Sequence, residues 1–230
     1  MKNLRRIHIF NDGRSYEQKK IYNRNTIWYF DPGAFVGMKN LTEINMPYLD
    51  MHGHITSEFV SALQNLRYLN LAHNRIDYDL PHDNWSPLLE IIELNDNRLQ
   101  GRFPKSWITS LPNLQYVSVA NTRMGNNGQY PLEILSGSQQ LKAIDMANCS
   151  FGGVFPWEYF NPEQFQQLEY VAVNFNAKIE MPDICERNYY CFKDVMISGK
   201  DANKKIFLEQ EVLDLIEKST ETFEEPILDL

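Results

Sequence analysis

At 230 residues the chain has room for one ordinary domain or a short repeat array, and 43% hydrophobic with 13% aromatic residues is enough for a packed core. A formal charge of −8 argues against a duplex nucleic-acid binder, which needs clustered Lys and Arg to displace counterions from phosphates. No run of about 18 apolar residues occurs, so no membrane-spanning helix is expected.

The opening MKNLRRIHIF carries basic residues but not the apolar stretch of a secretion signal. Its Leu4-Arg-Arg-Ile7-His-Ile9 instead has the first half of a pattern, L-x-x-L-x-L-x-x-N-x-L, that returns along nearly the whole chain. Clear copies are LRYLNLAHNRI from Leu66, LEIIELNDNRL from Leu89 and LKAIDMANCSF from Leu141. Units counted from their first leucine-type residue start at Leu4, Leu41, Leu66, Leu89, Leu114, Leu141, Leu168 and Phe192. The first spacing is 37 residues and holds an insertion at about 14–27, while the other six run from 23 to 27. Within each unit the apolar residues at positions 4 and 6, such as Leu69 and Leu71, share one face of a short strand. Asn at position 9 (Asn74, Asn97, Asn176) has a donor and an acceptor for the backbone groups where the chain leaves that strand. Leu49, Thr122 and Cys149 stand there in other units.

The second half of the unit repeats an apolar-Pro pair at Leu80-Pro81, Phe103-Pro104, Tyr130-Pro131, Phe155-Pro156 and Met181-Pro182, with Ile55-Thr56 in the same place. Proline suits the first turn of a short helix, where its missing N–H costs little, and PKSWITSL and PLEILSG read that way. Gly53, Gly101 and Gly153 precede the pair in three units, while Tyr78 and Asn126 stand at the glycine place in two others. This segment resembles the L-x-G-x-I-P stretch of plant-type leucine-rich repeats, over about residues 4–200. The resemblance implies an α/β fold: a right-handed leucine-rich repeat solenoid of about eight units, with a concave parallel β-sheet and short helical or 3-10 segments on the convex side. Residues 1–200 form the expected solenoid. Residues 201–230, with nine acids and three lysines, read as an acidic amphipathic helical tail that caps its C-terminal end.

In such a solenoid positions 3, 5, 7, 8 and 10 face solvent or a partner. Position 3 then presents Tyr68, Tyr116 and Tyr170, position 8 presents Tyr48, Asp96 and Phe175, and position 5 presents Glu93 and Asp145. Position 10 adds Arg75, Arg98 and Arg123 on successive units. Tyr and Arg combine large contact area with a polar handle, so these columns are the expected partner-binding residues. The competing reading has the tyrosines shielding the sheet and the arginines paired with acids such as Asp96. Cys185 and Cys191, after the last apolar-Pro pair, are a possible disulfide or two reduced thiols, and the compartment stays open.

Nucleotide-binding glycine loops, the H-E-x-x-H zinc motif and the G-x-S-x-G elbow are all missing, and no catalytic residue, metal or cofactor is expected. The chain is expected to be a non-enzymatic module that binds a protein or peptide through the concave face. Two alternatives are a structural subunit whose assembly covers the first strand, and a surface carbohydrate-binding or adhesion protein.

Overall fold

A computed structural model of the chain describes residues 3–9, 29–104, 107, 111–125, 139–151, 167, 170–173 and 195–197. Each repeat unit contributes one strand, at the positions where its apolar residues alternate: β1 (Arg6–His8), β2 (Glu43–Asn45), β4 (Tyr68–Asn70), β6 (Ile91–Glu93), β8 (Tyr116–Ser118), β10 (Ala143–Met146), β11 (Tyr170–Val173) and β12 (Val195–Ile197). All eight pair in parallel in the order β1-β2-β4-β6-β8-β10-β11-β12. Their register carries position 4 of one unit onto position 4 of the next, as Ile7, Ile44, Leu69, Ile92, Val117, Ile144 and Val171. Ile44, Leu69, Ile92, Val117 and Ile144 are fully buried, which is the reason for the alternation.

A second, four-stranded parallel sheet is formed by β3 (His52–Gly53), β5 (Arg75–Asp79), β7 (Arg98–Gly101) and β9 (Arg123–Met124), in the order β3-β5-β7-β9. It begins at or just after position 10, so the units that start at Leu41, Leu66, Leu89 and Leu114 leave the first sheet, turn, and pair again beside their neighbours. Position 13 demands a positive φ: Gly53 has 128° and Gly101 78°. A Cβ on Gly53 would stand 2.9 Å from the Phe30 carbonyl oxygen. Tyr78 takes the same place at φ 65° with its ring largely exposed, a conformation an L side chain rarely adopts.

An α-helix, α1 (Ser57–Ala62), follows Ile55-Thr56, where Thr56 stands at the proline place. Its hydroxyl caps the helix by accepting from the Phe59 N–H at 3.3 Å, and Phe59 and Val60 face the core. Of the segment PKSWITSL, Trp107 lies buried against Trp85 and Phe103. PLEILSG, the insertion at about 14–27 and the tail 201–230 lie outside the described residues. Residues after the insertion complete the first unit: Tyr29 bridges to His52, and Phe30 and Phe35 close on Phe59 with ring centroids 5.2 and 5.1 Å away.

The turns off β4, β6, β8 and β10 are held by position 9. Asn74 Nδ2 donates to the carbonyls of Met46, Leu71 and Ala72, and its Oδ1 accepts from the N–H groups of Leu49 and Met51. Asn97 repeats the pattern with Leu71, Leu94, Asn95 and the Ile76 N–H. Where Asn is replaced, shorter groups share the task. Thr122 Oγ1 donates to the Val119 carbonyl at 2.7 Å and accepts from Met124, and the Cys149 thiol donates to the same carbonyl at 3.1 Å. Burial pushes the Cys149 pKa up to about 11, against the lowering effect of the Thr122 hydrogen bond. Cys149 is therefore expected to resist a thiol reagent near pH 8 while the chain is folded and to react once it is unfolded. Equal labelling rates with and without denaturant would contradict that burial.

Candidate functional site

The register places two columns of residues across the first sheet on the face opposite the position-4 core. Position 3 runs Arg6, Glu43, Tyr68, Ile91, Tyr116, Ala143, Tyr170, and position 5 runs His8, Asn45, Asn70, Glu93, Ser118, Asp145, Ala172. Tyr68 and Tyr116 thus flank Ile91, about 9–10 Å apart by strand spacing, and they do not touch as an unbroken aromatic run. Both are only 8% exposed, where the repeat arithmetic alone expects them to stand into solvent. Each stands in register between residues of the two neighbouring strands, Tyr68 between Glu43 and Ile91 and Tyr116 between Ile91 and Ala143. For Tyr170 the structure describes the backbone in β11, and Phe175, Cys185 and Cys191 lie outside the described residues.

The electrostatics of this face are uneven. Glu43 is held by Arg6 at 3.1 Å and by His8 at 3.0 Å. Glu93, one column over, accepts from the Tyr68 hydroxyl at 2.9 Å, and that hydroxyl accepts in turn from Asn70 Nδ2 at 3.2 Å. Desolvation pushes the Glu93 carboxyl pKa up to about 7, with the Tyr68 hydrogen bond acting the other way. The Tyr68 hydroxyl is driven well above its ordinary value by burial and by the Glu93 charge. Beside Glu93, the Ser118 side chain is 1% exposed, and its Oγ has no hydrogen-bond partner among the described residues. Asp145 Oδ1 accepts from the Ala147 N–H at 3.0 Å.

The arginines fall elsewhere. Arg75, Arg98 and Arg123 open β5, β7 and β9 of the second sheet, where Arg98 aligns with Asp77 and Arg123 with Gln100. They do not line up with one another, nor do they share a sheet with the tyrosines. Arg75 pairs with Asp50 at 2.5 Å, not with Asp96.

Position 8 holds a feature that hydropathy does not reveal. Tyr48, His73, Asp96, Asn121 and Asn148 all take the left-handed conformation, with φ between 52° and 59°. Their side chains form a ladder along the ends of the strands. The Tyr48 and His73 rings stack at 4.0 Å with planes 8° apart, and His73 Nδ1 lies 3.4 Å from Asp96 Oδ2. Asn121 Nδ2 donates to Asp96 Oδ1 at 2.9 Å, and Asn148 Nδ2 donates to Asn121 Oδ1 at 3.0 Å. The recurrence of Asn, Asp and His at one repeat position was the available sign, because these residues tolerate positive φ better than most.

Two parallel sheets built one strand per unit, with an Asn ladder at the turns, define a solenoid of strand-and-turn repeats. The comparisons name its kind: a family model described as Leucine Rich Repeat matches residues 65–86. The receptor-like protein kinase HAIKU2 of Arabidopsis thaliana is 34% identical over 119 residues, which cover 52% of this chain and 12% of that protein. Among solved structures, a chain of the PEPR1–AtPEP1 structure matches at TM-score 0.56 and 26% identity, over 65% of this chain and 20% of the other. A leucine-rich repeat protein of Leptospira interrogans matches at TM-score 0.57 and 26% identity, over 74% and 40%. The chain is a leucine-rich repeat protein resembling the plant-type subtype. It spans less than half the length of each of these three relatives. No helix among the described residues is long and apolar enough to cross a membrane.

Proposed function

We propose that the chain binds a protein or peptide partner, without catalysing a reaction, across the concave face of its eight-stranded sheet. The observation that carries this reading is the pairing, on one face, of a packed apolar row (Tyr68, Ile91, Tyr116) with a polar row in register beside it (Asn70, Glu93, Ser118). Apolar area supplies affinity and fixed polar groups supply orientation, which is the composition of a contact surface. The relatives support a recognition role: HAIKU2 is named as receptor-like, and PEPR1 is matched in a structure that includes AtPEP1. Glu93, Asp145 and the rim residues Tyr48 and Asp96 belong to the proposed surface. Arg75, Arg98 and Arg123, on the second sheet, serve as a flank that a larger partner reaches.

The test begins with affinity capture using the chain as bait, followed by titration of the captured molecule. Changing Tyr68 and Tyr116 together to Ala is expected to weaken binding about tenfold to a hundredfold, the range of buried aromatic anchors. Circular dichroism and a melting curve confirm that the double variant is folded. Undiminished affinity in a folded double variant would remove the concave face from the account.

A further inference from the structure

We propose that Glu93 is the seat for a cationic group of the partner, a guanidinium or ammonium lying over Ser118 in the middle of the sheet. The proposal rests on the peptide or protein reading above and specifies the chemistry of that same site.

The argument starts from how the other acids are matched. Glu43 has Arg6 and His8, Glu90 has Arg67, Asp50 has Arg75, and Asp96 has His73. Among the described residues Glu93 has no cationic nitrogen within ion-pair distance, and its hydrogen bond comes from a neutral phenol. A carboxylate moved partly out of water is expensive unless a charge or several donors replace the lost hydration. Here one donor is in place. Burial accordingly holds the carboxyl pKa near 7, so the group is half-neutral at physiological pH and ready to gain from an arriving positive charge.

The neighbourhood fits a donor-rich guest. Ser118, next to Glu93 in register, buries an Oγ that has no partner among the described residues. That oxygen can accept from a guanidinium or ammonium held by Glu93. Facing Glu93 from the flanking strands are Tyr68 and Asn70 of β4 and Tyr116 and Ser118 of β8, none of them cationic. Glu93 keeps part of its surface open, so the seat is reachable from the face.

The experiment is selection from a displayed library of random linear peptides against the full chain, run in parallel on Glu93→Gln and on Glu58→Gln, the same charge change on α1 away from this sheet. Arg or Lys is expected to be enriched at one peptide position by the unmodified chain and by Glu58→Gln, and the enrichment is expected to vanish with Glu93→Gln. A synthetic copy of a selected peptide is expected to lose at least about tenfold in affinity when its Arg is replaced by neutral citrulline. That loss disappears when the same pair is measured on Glu93→Gln, which isolates the coupling between the two groups. The citrulline comparison on the unmodified chain needs no variant to fold. Binders with no basic preference, or a preference that survives in Glu93→Gln, overturn the cation seat and leave peptide binding standing. A library that yields no binder at all overturns both.

Discussion

Replacing Glu93 with Gln is expected to stabilise the folded chain near pH 8 by up to about 3 kcal/mol, an unusual direction for a substitution at the proposed binding face. A carboxyl raised from 4.5 to about 7 titrates later in the folded chain than in the unfolded one. Below about pH 4.5 both forms are protonated and the group contributes nothing to stability. As pH rises towards 7 the unfolded chain ionises first, and stability falls by about 1.4 kcal/mol per tenfold difference in proton affinity until both forms are charged. Glutamine keeps an oxygen for the Tyr68 hydroxyl and removes the charge, so the advantage appears only on the alkaline side. Urea unfolding of both proteins at about pH 4 and pH 8 measures it. A Gln variant less stable than its parent near pH 8 would mean that Glu93 is already matched by a positive charge. The same result would remove the basis for a cation seat. Partner binding is expected to show the mirror image: a guest that needs ionised Glu93 binds more weakly as pH falls through 7.

Asn74→Ala is expected to cost about 3–5 kcal/mol. The amide makes five hydrogen bonds to backbone groups of two adjacent units in a place that water hardly reaches. Its loss leaves N–H groups of Leu49 and Met51 and several carbonyls without that partner, each worth about 1–3 kcal/mol when buried, less whatever an entering water restores. Asn95→Ala makes the comparison, because among the described residues that amide reaches only the side chains of His73 and Asp96 and its loss should cost below about 1 kcal/mol. Chemical denaturation of the two variants side by side checks the difference. If Asn74→Ala falls within 1 kcal/mol of Asn95→Ala, about the size expected for the lesser of the two, the turn ladder is not what holds neighbouring units together.

Much of the architecture was legible because a solenoid turns a long-range problem into a short-range one. Each strand's neighbour is the next unit, so the spacing of Leu41, Leu66, Leu89, Leu114 and Leu141 already contains the pairing and its register. Burial at position 4 and the Asn74 and Asn97 ladder follow from side-chain alternation and from the rule that backbone groups inside a fold must be paired. The proposed contact surface was less legible. Tyr68 and Tyr116 carry the same letters whether they stand in solvent or lie between neighbouring strands, and only packing decides which. The arginines at position 10 follow the Asn turn, and the sequence offers no sign that the chain has by then left the first sheet for a second. The left-handed run at position 8 was written in its Asn, Asp and His residues, but its stack and hydrogen-bond ladder depend on distances between units.

What the sequence by itself determined was the class of fold, the number of units, the strand in each, the core columns and the residues that turn the chain. These properties are local or repeat at a fixed interval, so counting reaches them. Only the tertiary structure decided that Arg75 meets Asp50 and not Asp96, that the tyrosines sink into the sheet, and that Glu93 is left with a phenol for company. Charge pairing and desolvation depend on everything within a few ångströms in three dimensions, including groups that no repeat position brings to mind.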